Sequence, residues 1–170
     1  MTPERQLAHL YDDHAPALFA FLLNLTRNEA DTHDLLQDLF VTLARHPHLL
    51  NGVRHERPFL LRLAHNAAID LMRRRATREQ RHKSFAADVL SPFAPAADPD
   101  EQVFRHSLAS ALAELPPEQR AVVHLKLWAG LTLEEIAATL DIPSNTAASR
   151  YRYGLDKLRA RLRPLYEELK

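Results

Sequence analysis

Thr132 to Leu162 reads TLEEIAATLDIPSNTAASRYRYGLDKLRARL. Two helical patterns meet here around the break Asp141-Ile142-Pro143-Ser144. Thr132 and Glu135 have the spacing of a capping box, which starts a helix and satisfies two of its free amides. Leu133, Ile136, Ala137 and Leu140 follow as its buried stripe. Asp141 stands where a left-handed residue is usually needed; Gly is commoner there, and Asp tolerates that conformation better than most residues. The second helix turns Ala147, Tyr151, Leu155, Leu158 and Leu162 inward and is expected to close before Pro164. Its first turns present Asn145, Ala148, Ser149, Arg152 and Tyr153 outward.

A short helix, a tight turn and a second helix form the geometry that delivers a helix into the DNA major groove. Arginine suits bidentate contact with guanine, and Asn and Ser suit base or phosphate contacts. The competing reading is a solvated charged face on an ordinary helical bundle. The capping box, the turn and the inward stripe together favour the groove reader.

The rest of the chain points to an all-α protein. Leu and Ala dominate its 170 residues, and there are only three glycines. At 46% hydrophobic and 26% charged residues the chain reads as globular. With no cysteine, disulfides, thiolate metal sites and thiol redox chemistry are excluded. Ten histidines invite a metal, but His46 and His48 flank Pro47 and no HExxH occurs, so no metal or other cofactor is expected. GxSxG, a P-loop and a Gly-rich phosphate loop are all missing, so no enzyme activity is expected. No signal peptide and no apolar run of membrane-spanning length is seen; the expected location is cytoplasmic, without membrane insertion.

Periodicity divides the chain into two small helical domains, 1–82 and 101–170. In the first, Leu7, Leu10, Tyr11, Leu18, Phe21, Leu22 and Leu25 mark a helix from about Glu4 to Thr26, with a disturbance at Pro16. The stretch NEAD interrupts it. A second helix follows, capped by Asp31 or Thr32, with Leu35, Leu36, Leu39, Phe40 and Leu43 inward. RHPHLLNGVRHER reads as a loop. A third helix starts near Pro58 with Phe59, Leu60, Leu63, Ala64, Ala67 and Leu71 inward. Residues 83–100, with Pro92, Pro95 and Pro99, read as a flexible extended linker. The second domain opens on a helix carrying Val103, Phe104, Leu108, Ala111, Leu112 and Leu115. Pro116-Pro117 ends it and starts the next helix, which stops at Gly130.

The formal net charge is zero. That neutral total conceals basic residues gathered at Arg62 to Arg81 and at Arg150 to Arg163. Acids gather at Glu29, Asp31, Asp34 and Asp38 and again at Asp98, Asp100 and Glu101. Two separate basic helices suggest phosphate contacts in two places.

Two long stretches carry a resemblance. ELPPEQRAVVHLKLWAGLTLEEIAATLDIPSNTAASRYRYGLDKLRARL resembles the promoter-reading C-terminal domain of bacterial sigma factors. ADTHDLLQDLFVTLARH followed by RPFLLRLAHNAAIDLMRRR is similar to their polymerase-binding, −10-reading domain. Both together, in this order and at this length, resemble the extracytoplasmic-function (ECF) branch of the sigma-70-like family.

The resemblance implies a transcription initiation factor that binds core RNA polymerase and reads −10 and −35 promoter elements. It implies Asp34, Leu35, Gln37, Asp38 and Phe40 as the grip on the clamp helices of the polymerase largest subunit. It implies Asn66, with Arg62, Asp70, Arg73 and Arg74 and the loop at about Pro47 to His55, as the −10 site. It implies Asn145, Ala148, Ser149, Arg150, Arg152 and Tyr153 as the −35 site, and an anti-sigma factor as a further partner. The chain departs from the family pattern at Phe59, where Trp is frequent, and at Ala148, where a basic residue is usual. It has Asn145, Thr146 and Ala147 where Gly-Thr-Val is usual. Two other readings stay open: a sigma-like module that sequesters an anti-sigma factor without reading promoters, and an ordinary helix–turn–helix repressor.

Overall fold

The computed structural model describes residues 2–79 and 98–168, and the described residues form helices and turns with no strand. The chain divides into two compact units, Met1–Ala86 and Ala87–Lys170. Nearly all of the segment read as a linker lies outside the described residues. Its last three positions do not: Asp98 caps a helix that already starts at Pro99.

The first unit packs three helices, α1 (Pro3–Thr26), α2 (Glu29–Arg45) and α3 (Glu56–Glu79), each against the other two. Thr2 caps α1, its hydroxyl accepting from the Arg5 amide at 3.4 Å. Pro16 sits inside α1 without ending it. Proline leaves the carbonyl four residues back without its helical donor. Pro16 and Asp12 are both exposed, so water can satisfy that carbonyl. Only Arg27 and Asn28 separate α1 from α2. Arg27 takes the left-handed conformation at φ 57°, and Asn28 Oδ1 accepts from the Asp31 amide at 2.9 Å. The cap is therefore Asn28 rather than Asp31 or Thr32, and Glu29-Ala30-Asp31 is already first turn. Thr32 is buried instead, its hydroxyl donating to the Asn28 carbonyl at 2.8 Å.

The segment read as a loop after α2 contains a 3₁₀ turn, Pro47–Leu50, and α3 begins two residues before Pro58. The buried face of α3 is Leu60, Leu61, Ala64, Ala68 and Ile69. Phe59, Leu63, Ala67 and Leu71 are only half-buried. The buried face turns toward α1 and α2, which bury Leu10, Leu18, Phe21 and Leu22, and Leu36, Leu39, Phe40 and Leu43, respectively.

The second unit contains α4 (Pro99–Glu114), α5 (Pro117–Leu127), α6 (Leu133–Leu140) and α7 (Ser144–Glu168). Ala111, Leu112 and Leu115 of the α4 end pack with Val123 of α5 and with Leu158 and Leu162 of α7. Pro116 and Pro117 have no N–H to close the last carbonyls of α4. Arg120 does so from the next helix: it is buried and donates from Nη2 to the Leu115 carbonyl at 2.8 Å and the Ala113 carbonyl at 3.3 Å. Gly130 adopts φ 70°, which any side chain would strain, and so carries the chain from α5 toward α6.

Candidate functional site

The α6–α7 junction is built from local rules. The Thr132 hydroxyl accepts from the Glu135 amide at 3.1 Å, and Glu135 Oε2 accepts from the Thr132 amide at 3.2 Å. After eight residues α6 stops at Asp141, which is left-handed at φ 55°, and the Ile142 amide returns to the Ala137 carbonyl at 3.0 Å. The turn is three residues, because Ser144 already belongs to α7. Ile136, Ala137, Leu140 and Ala147 are buried at the junction, so the small side chains at 137 and 147 fit the close approach of the two helices.

This junction sets which residues of α7 face solvent. Asn145, Ala148, Arg152 and Tyr153 are exposed, while Ser149 and Arg150 are half-buried. The Arg152 guanidinium lies over the Tyr153 ring, 5.1 Å from its centroid. The inward stripe is Ala147, Gly154, Leu158 and Leu162; Tyr151 and Leu155 are half-buried. A Cβ on Gly154 would lie 2.6 Å from Cγ2 of Val123, so α7 touches α5 there through bare backbone. Pro164 does not end α7, which runs on to Glu168 past this exposed position.

The basic residues of α7 fall into two groups. Further along the helix they have partners within the chain. Lys157 donates to Gln119 Oε1 at 3.3 Å, Arg161 pairs with Glu114, Arg159 lies 3.9 Å from Asp156, and Arg163 lies 3.5 Å from Glu167. The cations of the first turns are Arg150 and Arg152, beside the outward face.

On α3, Arg62, Asn66, Asp70, Arg73 and Arg74 are all exposed. Their spacing of four, four, three and one residues keeps them on one side of the helix. Arg74 Nε donates to the Asp70 carbonyl at 3.4 Å. Arg75 departs from this group: it reaches α2 and binds Asp31 with two parallel hydrogen bonds, that from Nη2 to Oδ1 measuring 2.7 Å. The 3₁₀ turn, which packs against α2, precedes α3 in the chain, and the His46 and His48 rings stand edge to face at 5.7 Å. No cluster of three or more potential metal ligands occurs among the described residues.

On α2, Asp34, Gln37 and Asp38 are exposed and share one face, as their spacing requires. Leu35 is half-buried, and Phe40 is buried under the Tyr11 ring, edge to face at 5.0 Å. Phe40 therefore belongs to the core rather than to the exposed acidic surface. A residue on that surface went unnoticed in the sequence: Val41, 39% exposed, extends the face of Asp34, Gln37 and Asp38. Tyr11 is 48% exposed, and with Val41, Gln37, Leu7 and Leu36 it lines a cleft of about 480 Å³ between α1 and α2.

Among the described residues, burial lowers the pKa of Arg27 and, more strongly, that of His124. His124 of α5 is buried, and desolvation pushes its pKa down from 6.5 to about 4. Its ring lies 5.6 Å from that of Trp128.

Comparison with known proteins decides what this arrangement belongs to. Residues 10–78 match the family model for sigma-70 region 2, and residues 111–160 match that for sigma-70 region 4. The RNA polymerase sigma factor CarQ of Myxococcus xanthus is 34% identical over 163 residues, covering 94% of this chain and 91% of the relative. The ECF RNA polymerase sigma factor SigL of Mycobacterium tuberculosis is 32% identical, covering 92% and 88%. The chain belongs to the sigma-70 family of RNA polymerase sigma factors, in its ECF group.

Region 2 of this sigma factor spans α1 to α3, and region 4 spans the end of α4 through most of α7. Among solved structures, the sigma factor RpoE in complex with the anti-sigma factor NepR from Bartonella quintana has the same fold. Its TM-score is 0.76 at 23% identity, over 94% of this chain and 96% of that one. CnrH in complex with the cytosolic domain of CnrY matches at TM-score 0.66 and 27% identity, over 95% and 90%. No described helix of the sigma factor is long and apolar enough to cross a membrane.

Proposed function

We propose that this sigma factor joins core RNA polymerase through the α2 face and directs it to promoters through α3 and α7. Asp34, Gln37 and Asp38 meet basic residues of the clamp helices, with Val41 and the Tyr11 cleft adding apolar contact beside them. Leu35 and Phe40 support that face from beneath. Asn66 holds an unstacked base of the −10 element, since its amide both donates and accepts. Pulling a base from the stack is how proteins usually reach a single one. Arg62, Arg73 and Arg74 contact the neighbouring phosphates, and Asp70 keeps the stripe polar.

The −35 element is read by Asn145, Ala148, Ser149, Arg152 and Tyr153, with Arg150 at the edge. The observation that carries this reading is the exposed first-turn face of α7, held by the capping box and the left-handed Asp141. A well-placed arginine on a guanine is worth about 1–3 kcal/mol of discrimination. The sigma factor works in the cytoplasm, where polymerase and promoter meet. An anti-sigma factor is a further proposed partner: RpoE was solved in complex with the anti-sigma factor NepR, and CnrH in complex with the cytosolic domain of CnrY.

A gel-shift comparison at near-physiological salt tests the proposal. Phosphate-dominated contacts alone give weak, salt-sensitive binding. Linking two weak contacts helps only when both sites can be engaged at once. The sigma factor alone binds promoter DNA weakly and without specificity, and specific binding appears when core polymerase is added. Tight, sequence-specific binding by the chain alone supports a repressor. Ala148, uncharged where the family usually carries a basic residue, favours a second reading in which the chain only sequesters an anti-sigma factor. That reading predicts no specific shift with or without polymerase.

A further inference from the structure

We infer that Gly154 is a positioning residue for −35 discrimination, acting from the buried side of α7 through Val123 of α5. The inference rests on the reading of α7 as the −35 helix.

Gly154 stands on the face of α7 opposite the DNA-facing residues and is buried. A Cβ there would meet Cγ2 of Val123 at 2.6 Å, with the Gln119 carbonyl at 3.7 Å and the Gln119 Cβ at 3.8 Å beyond it. Real side chains do not pack at 2.6 Å, so an added methyl group must move something. Val123 is itself fully buried. As a β-branched residue on a helix it holds essentially one χ1 rotamer and cannot swing aside. The adjustment therefore falls on the separation or tilt of α5 and α7.

Two contacts further along α7 make that adjustment uneven. Lys157 bonds Gln119 of α5, and Arg161 pairs with Glu114 at the end of α4. They tie down the helix C-terminal to Gly154. At the other end, the start of α7 is joined to the rest of the unit through the short α6 and the three-residue turn. A spacer at Gly154 therefore pivots α7 about the contacts at Lys157 and Arg161 and tilts the first turns, which carry Ala148, Ser149 and Arg152. Bidentate base contacts depend on that angle, whereas phosphate contacts tolerate small changes in it.

The substitution Gly154→Ala is an informative probe because Ala is the better helix former. It also narrows the unfolded ensemble. Lost function then comes from the contact with Val123 and not from a weakened helix. The compensating change is Val123→Ala, which removes the methyl group that the new Cβ would strike.

The experiment uses holoenzyme assembled from core polymerase and the full chain. Its readout is the ratio of transcription from a matched promoter to that from a promoter with one altered −35 base pair. The wild type discriminates. Gly154→Ala lowers the ratio roughly tenfold, the scale of one base-pair contact, while core binding is retained. The double variant Gly154→Ala, Val123→Ala restores the ratio to within about twofold of the wild type, the tolerance set against that one-contact scale. An unchanged ratio in Gly154→Ala overturns the inference, as does an equal loss in the single and double variants. If Gly154→Ala alone fails to fold, the double variant decides: folding with wild-type discrimination supports the inference, and folding without it overturns it. A wild-type holoenzyme blind to the −35 sequence defeats the −35 reading itself, and this inference with it.

Discussion

Arg75 at the end of α3 grips Asp31 in the first turn of α2, each carboxylate oxygen accepting one guanidinium N–H. The Asp31 side chain is 14% exposed and that of Arg75 44%, so the pair is partly shielded from water. The carboxylate also lies near the positive end of α2. Bidentate geometry makes the pair stronger than an ordinary surface bridge, though solvent at Arg75 still weakens it. We expect Arg75→Ala to lower the stability of the first unit by about 1 kcal/mol. In urea denaturation, a double-mutant cycle with Asp31→Ala should show most of that as coupling. Additive losses contradict the assignment. Arg73→Ala, on the exposed stripe, should leave stability unchanged.

Asp38→Arg reverses the charge on the proposed polymerase face without touching the core. In a pull-down it should lose core polymerase while circular dichroism shows an unchanged helix content. Retained binding sinks the placement of the polymerase contact on this face of α2.

Asn66→Ala removes one exposed amide from the α3 stripe. Core binding should stay near the wild-type level while open-complex formation falls, read as permanganate reactivity of the −10 region. An unchanged open-complex yield removes Asn66 from the −10 site.

His124 makes the fold sensitive to acid. Its folded-state pKa of about 4 lies below the 6.5 of the unfolded chain. Between these values the unfolded chain binds more protons, so stability is complete above pH 6.5 and is lost as pH falls toward 4. From pH 7 to pH 5 the loss attributable to His124 is about 2 kcal/mol. Urea melts of wild type and His124→Gln at the two pH values isolate it: the variant should lose less. Equal losses in both proteins remove His124 as the cause.

The parts that the sequence made legible are the ones set by short-range rules. The capping box of Thr132 and Glu135 and the left-handed Asp141 act within a few residues, so spacing alone identified them. Asp34, Gln37 and Asp38 share a face by helix geometry, whatever surrounds them. What escaped depends on partners distant in the chain. α3 carries apolar residues at consecutive positions, so two stripes compete, and only packing against α1 and α2 selected Leu60, Leu61, Ala64, Ala68 and Ile69. Tyr11 has core spacing, yet it lies over Phe40 at the rim of a cleft. Arg75 sits in a basic run that reads as uniform until Asp31, 44 residues away, claims one member. Gly154 carries no local signal, and its role comes only from Val123 packed behind it. Pro164 is expected to end α7, yet the helix runs on to Glu168: the position is exposed, so the carbonyl that the proline leaves without a donor can bond water.

Run-off transcription with core polymerase from the source organism tests the central claim most directly. Core polymerase alone should give only diffuse background on a set of genomic promoter fragments. Adding the chain should yield discrete transcripts from a subset of them. The Asp38→Arg and Asn66→Ala variants should both lower the yield, the first through lost polymerase binding and the second after it. Unchanged background with a folded chain that binds polymerase would contradict the account.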